Sequence, residues 1–194
     1  LMPDIPGASW ARPAVVLDLY VSNADPRDPR LIPVDGDFRD QIDRAKEILN
    51  RGIYLPGFKD LRLLSTSHFQ SLFLIDMSAG LAIAMALHLL ARGQELSTPV
   101  VFSAGLDPHL GMKPVDGLDA KRQAARDMGY LFIGCSDSGT GLDNSQGAVL
   151  LQPTDTWDDT WRLVRSALEQ LRVSILPSRE KWTAILKKLD KVVH

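Results

Sequence analysis

Cysteine is nearly absent from this chain of 194 residues: Cys135 stands alone, so no internal disulfide can form and a reducing, cytoplasmic setting is expected. Long apolar runs are missing as well. The longest, Gly80 to Leu90, is too short to cross a bilayer, and no secretory signal or membrane segment is visible. Neither charge dominates, with 22 Lys and Arg against 24 Asp and Glu and a formal net charge of −2. Without a basic field, nucleic-acid binding is not the expected role. The four histidines, His68, His88, His109 and His194, are scattered and lack close acidic or cysteine partners, which argues against a metal site. His88 lies within an apolar run and reads as a hydrogen-bonded core residue. No Gly-Lys-Ser/Thr follows Ser136-Asp137-Ser138-Gly139-Thr140-Gly141, so that stretch reads as a loop rather than a phosphate cradle.

What is present suits one globular domain over 1–194, 45% hydrophobic and 24% charged. Its core is expected over about 12–172, with an amphipathic helix at 179–193 whose Trp182, Ile185, Leu186, Leu189 and Val193 face inward. The opening Leu1-Met2 reads as the edge of an excised fragment. Strands are predicted at 14–22, 61–67, 71–75, 100–105, 130–133 and 148–151. Helices are predicted at 38–50, with Asp37 as N-cap, at 78–90, at 117–129 and at 156–171. Pro177 interrupts the chain after the last of these. The segment 136–147, rich in Ser, Gly, Asp and Asn, reads as a mobile surface loop. Alternation of strands and helices predicts an α/β or α+β fold.

Lys121 is the residue that least fits its surroundings. At about 100° per residue, Leu118, Ala124, Ala125 and Met128 share one face of the helix over 117–129, and Lys121 falls among them. Such a lysine commonly lays its stem on apolar surface and bends its ammonium out to water. The alternative is an amine kept from water, where the charged form is disfavoured and a neutral base becomes accessible. Ser78, at the start of the apolar run Ser78 to Leu90, is the candidate nucleophile. Asp76 is a plausible N-cap there, and free backbone N–H groups of a first helical turn suit an oxyanion. Serine is also favoured at helix starts for local hydrogen-bonding reasons alone.

Together these segments resemble the proteolytic domain of the Lon family, which pairs a serine with a lysine and uses no histidine. The family's Asp-Gly-Pro-Ser-Ala-Gly motif has its likeness in Asp76-Met77-Ser78-Ala79-Gly80. Its Pro-apolar-Gly-Gly run, ending three residues on in the catalytic lysine, has its likeness in Pro114-Val115-Asp116-Gly117-Leu118-Asp119-Ala120-Lys121. Between them, Val100-Val101-Phe102-Ser103-Ala104-Gly105 is similar to the family strand that carries a Thr-Gly pair, with Ser103 in the threonine's place. Leu31 to Asn50 is similar to the strand, turn and helix that precede the serine, and Tyr130 to Ile133 to the strand after the lysine helix. The chain departs from the pattern at Met77, where Gly-Pro is shortened, and at Asp116, where the first glycine of the pair is replaced. It also lacks the Pro-Glu-Gly stretch ahead of Asp76.

The resemblance implies a mixed sheet packed with helices, like the second domain of ribosomal protein S5. It implies peptide hydrolysis in unfolded or loop segments of a protein substrate. Ser78 would attack, Lys121 would act as base, Ser103 would orient Lys121, and the backbone at Met77 and Ala79 would hold the oxyanion. Asp76 is assigned to capping and loop shape. No cofactor is expected in this chain; ATP would enter only through a separate or missing AAA+ module, since no Walker motif is present. Six-membered rings are a family expectation, as is a partner ATPase or regulatory module. The rival is a catalytically silent Lon-like domain used for oligomerisation or docking, and the changes near Asp76 and Asp116 favour it.

Overall fold

Three short runs rich in β-branched and aromatic residues, Val100–Ser103, Leu131–Cys135 and Ala148–Leu151, come together as parallel strands. The computed structural model describes residues 19–22, 36–50, 62–65, 77–138, 141–143 and 147–178. In chain order the elements are β1 (Leu19–Ser22), α1 (Gly36–Asn50), β2 (Arg62–Ser65), a 3-10 turn (Met77–Ala79), α2 (Gly80–Arg92), β3 (Gln94–Leu96), β4 (Val100–Ser103), β5 (Gly105–Leu106), β6 (Met112–Lys113), α3 (Leu118–Asp127), β7 (Leu131–Cys135), β8 (Gly141–Asp143), β9 (Ala148–Leu151), α4 (Trp157–Gln170) and β10 (Ile175–Pro177). The main sheet has the order β4-β7-β9-β8, parallel except for β8, and three two-stranded pairs accompany it: β1-β2, β3-β10 and β5-β6. This is an α+β arrangement of helices and mixed sheets.

Successive residues on the parallel strands point to opposite faces, and each face has its own cover. Ile133, Cys135, Val149 and Leu151 join the larger core with residues of α2 and α4, while Phe132 and Ala148 pack with Ala125 of α3. Helix α2 is buried nearly all round, through Leu81, Ile83, Ala84, Met85 and Leu87. Its C-terminus is closed by Gly93 at φ 61°, whose amide donates to the Leu89 and Leu90 carbonyls. Helix α4 starts as predicted, with the Thr156 hydroxyl accepting from the Asp159 amide.

Where the chain leaves β4 its backbone is held by groups far away in sequence. Gln41, buried on α1, accepts from the Leu106 amide at 2.7 Å and donates through Nε2 to the Leu106 carbonyl at 3.2 Å, imitating a strand partner. Arg44 donates to the same carbonyl. The Gln41 amide reaches this position because residue 80 is glycine: a Cβ there would lie 2.0 Å from Gln41 Oε1. The β5-β6 hairpin is then tied to the start of α4 by a buried knot of threonines. Thr154 accepts from the Met112 amide at 2.8 Å, and Thr160 bonds Thr154 and donates to the Leu110 carbonyl.

Several sequence expectations are corrected. Helix α1 begins at Gly36, so Asp37 lies within it rather than capping it. The strand expected over 100–105 breaks at Ala104 into β4 and β5. The presumed loop over 136–147 contains β8, which pairs antiparallel with β9. Pro177 ends the short strand β10 opposite β3, a pair absent from the sequence reading. The expected strand at 71–75 and helix at 179–193 lie outside the described residues.

Replacing Gly80 by alanine is expected to push the Gln41 amide off Leu106 and leave buried polar groups without partners, costing about 1–3 kcal/mol in urea unfolding. In the background of Gln41→Ala the same change should cost less, because the clash with Gln41 is gone and only the 3.1 Å approach to the Leu106 backbone nitrogen remains. Equal costs in both backgrounds would contradict this account of Gly80.

Candidate active site

The serine is positioned by strand-like hydrogen bonding rather than by a helix cap. Ser78 lies in the 3-10 turn ahead of α2, not in its first α-helical turn, and the α2 N-cap is Ala79, which has no capping side chain. The Ser78 carbonyl accepts from the Ala104 amide at 3.0 Å, and the Ala104 carbonyl accepts from the Leu81 amide at 3.0 Å. These two bonds fasten the serine's turn to the residue that follows β4. Ser78 and Ala79 are half-buried, while the Met77 side chain is 44% exposed. Met77 lies beside Gly105, where a Cβ would stand 3.5 Å from Met77 Cβ and 3.8 Å from Lys113 Cβ. Asp76, assigned to capping from sequence, lies outside the described residues.

The helix that carries the lysine begins against the same pair of strands. Because β4 and β7 are parallel and α3 lies between them in the chain, α3 must run back across the sheet, beginning near the C-terminal end of β4. Its first residue, Leu118, settles against Gly134 of β7, where a Cβ would stand 3.0 Å from Leu118 Cδ2 and 2.8 Å from the Phe132 ring. Gly134 is the register partner of Ser103. Lys121 lies one helical turn beyond Leu118, on the face of the sheet that α3 covers, whereas α2, which follows Ser78, packs on the other face. Carboxyl ends of parallel strands are where ligands of open α/β sheets commonly bind.

The expected dry amine is corrected. Lys121 is half-buried, its Nζ donates to the Asp116 carbonyl at 2.9 Å, and among α3 residues only Ala125 is fully buried. The reason is geometric. Gly117, at φ 69°, turns the chain sharply into α3 and leaves the Asp116 carbonyl facing back toward the lysine. Met128, expected on the apolar face, is 51% exposed because α3 meets the sheet chiefly through its start and middle.

Ser103 is buried at 3% exposure, and its hydroxyl has no hydrogen-bond partner among the described residues. The bond expected from Ser103 to Lys121 is thus not made in this conformation. A buried hydroxyl left open in this way carries a desolvation cost that a donor or acceptor arriving at the site would relieve. Nearby, Asp107 shapes the turn between β5 and β6: Oδ1 accepts from the His109 and Gly111 amides at 2.8 and 2.9 Å, and Oδ2 pairs with Lys113 at 3.3 Å. Burial works against the Asp107 charge, but the Gly111 and His109 amides and Lys113 outweigh it and hold the carboxyl below its ordinary range. Burial, with Asp137 adding to it, pushes the Cys135 thiol up to about 12, so it is inert as a nucleophile.

His88 is a core residue, as expected, but it is not hydrogen-bonded. At 2% exposure neither ring nitrogen has a partner among the described residues, and the ring lies 4.2 Å from the Trp161 ring and 5.4 Å from that of Trp157, centroid to centroid. Burial, aided by the Arg92 charge, lowers it from 6.5 to about 4. No three His, Cys, Asp or Glu side chains gather around a common point among the described residues. The supports that sequence reasoning missed are Gln41 and Gly134. Gln41 was legible in principle, since it neighbours Ile42 and precedes Ala45 by four on the buried face of α1. Gly134 carries no comparable sequence signal. Comparison with protein families and with curated proteins finds no match to this chain.

The unfolded chain takes up the His88 proton below pH 6.5, the folded chain only below about 4. Stability should therefore fall with pH across that window, by up to roughly 3 kcal/mol. Urea midpoints of wild type and His88→Leu at pH 7 and near pH 4.5 check this. Parallel losses in both proteins would show that His88 is not the source.

Proposed function

We propose that this chain is a Lon-like serine peptidase that cleaves unfolded or loop segments of proteins with Ser78 as nucleophile and Lys121 as base. Two observations support the reading: the turn that holds Ser78 is bonded to Ala104, next to Ser103 with its open hydroxyl, and α3, which carries Lys121, begins against Gly134, the register partner of Ser103. Neutral Lys121 would take the Ser78 hydroxyl proton as the oxygen adds to the scissile carbonyl, and the ammonium would return that proton to the leaving amine. Water would then repeat the cycle on the acyl-serine. Since the Leu81 amide is already engaged by Ala104, oxyanion donors fall to the backbone around Met77 to Ala79.

Lys121 is half-buried, and on this reading the peptide itself covers it. A substrate strand lying across Met77 and the start of α3 would exclude water, and release of the amine from the Asp116 carbonyl would let it turn toward Ser103 and Ser78. An ATPase or regulatory module, a ring of six copies and a cytoplasmic location belong to the same reading. The described residues include no helix long and apolar enough to cross a membrane. The silent docking module keeps one observation in its favour, the Lys121 amine resting on a backbone carbonyl rather than on Ser103.

A fluorophosphonate probe separates the two readings because it needs only an activated serine. The peptidase reading expects a covalent adduct at Ser78 by mass spectrometry, absent in Ser78→Ala and formed at least about 100-fold more slowly in Lys121→Ala. A folded wild type that forms no adduct, or labels at the same rate without Lys121, would leave the docking module as the function.

A further inference from the structure

At the other end of α2 from the serine lies a cleft that no step of peptide hydrolysis uses. Helix α2 rises about 1.5 Å per residue, so Arg92 stands roughly 20 Å from the turn that holds Ser78. The cleft has a volume of about 670 Å3 and lies between Arg92, the second half of α4 and the β3-β10 ribbon. That size falls within the range of small-molecule sites. Its floor is apolar, with Leu168 and Val173 buried beneath it, and Trp161 and Ile175 forming half-buried walls.

Three guanidinium groups surround this floor. Arg165 donates to Glu169 at 3.3 Å, but Arg92 and Arg172 form no ion pair among the described residues. The C-terminal ends of α2 and α4 lie nearby, and half a negative charge at each would draw cations there for structural reasons. Those partial charges together with Glu169 do not balance three arginines, and positive charge remains in excess around an apolar hollow. Guanidinium forks match carboxylates and phosphates in pairs, and the Trp161 ring offers a flat surface to an apolar or aromatic body.

We propose that this cleft binds a small organic anion whose carboxylate or phosphate group bridges Arg92 and Arg172 while its apolar body lies between Trp161 and Leu168. The site is independent of the peptidase chemistry and stands or falls without it. Glu169 competes for the same cations, so it sets an upper limit on affinity. The anion would offset the Arg92 charge, which adds to burial in holding the His88 imidazole below its ordinary range, and so would let it rise part of the way back.

Isophthalate and phenyl phosphate serve as probes of the two anion sources, with neutral benzamide and inorganic sulfate as partial mimics, all titrated at constant ionic strength and followed by tryptophan fluorescence and calorimetry. At least one aromatic anion should bind saturably with a dissociation constant below about 1 mM, and both mimics at least tenfold more weakly. Whichever of isophthalate and phenyl phosphate binds tighter identifies the group. Arg92→Gln with Arg172→Gln should weaken binding at least about tenfold, whereas Glu169→Gln, which releases Arg165, should tighten it about threefold or more. The opposite sign of that last effect distinguishes a real site from loss of folding. No saturable binding of either anion at about 10 mM, or affinities unmoved by both the arginine and the Glu169 variants, would overturn the proposal and leave the arginines as companions of two helix ends.

Discussion

The backbone of Ser103 to Leu106 must find partners after the chain leaves the main sheet, and the way it finds them organises the molecule. Buried peptide groups without partners cost free energy comparable to a lost hydrogen bond. Ala104 meets that demand with both of its polar groups against the turn and first residues of α2, and Leu106 meets it with the side-chain amide of Gln41. One four-residue stretch therefore joins α1, α2 and the β4 edge. Gly80 makes the junction possible, since any side chain there would occupy the space of the Gln41 amide. The serine's location is a by-product of this junction. It follows from where Ala104 must place its amide.

Seen from that junction, the departures from the Lon-like motifs have distinct weights. Met77 lies outside the backbone bonds that hold Ser78, with much of its side chain in solvent, so its identity bears on what approaches the serine rather than on where the serine lies. Asp116 is different, because its carbonyl is the acceptor that Lys121 holds. A hydrogen bond of that kind holds the amine against the backbone, and its strength grows as water is excluded. Whatever covers the site must therefore break or replace that bond for the lysine to act as a base. A docking module has no such requirement, which is why the same contact is compatible with both readings until reactivity at Ser78 is known.

Elements backed by a strong local signal were legible in the sequence. Ala148–Leu151 is a continuous apolar run between turn residues, and Thr156 followed three residues later by Asp159 announces the start of α4. The helices that follow Ser78 and contain Lys121 were legible through their apolar residues and helical periodicity. What stayed hidden depends on partners distant in sequence. Strands β3 and β10 are three residues each and lack an alternating pattern, so only their pairing makes them strands. The depth of Lys121 could not be read from helical periodicity, because periodicity gives a face and not how closely that face approaches the sheet. Here Leu118 and Gly134 set that approach at the start of α3 alone.

His88 shows how firmly α2 is held. An imidazole with both nitrogens buried and unpartnered works against the fold, by about 1–3 kcal/mol for each polar group left in that state. The helix tolerates it because Leu81, Ile83, Met85 and Leu87 are each withdrawn from water, and a side chain of that size contributes about 1.5–3 kcal/mol when buried. Helix propensity and capping add little at its N-terminus, where Ala79 offers no side-chain bond. Apolar contact around most of its circumference therefore sets the rotation and depth of α2 from Gly80 to Leu89. The turn bearing Ser78 inherits that rigidity from one end, through Leu81 and Ala104, and Arg92 inherits it from the other. A serine placed this way needs no cap to position it, and its placement comes from the core beneath it rather than from the loop in front.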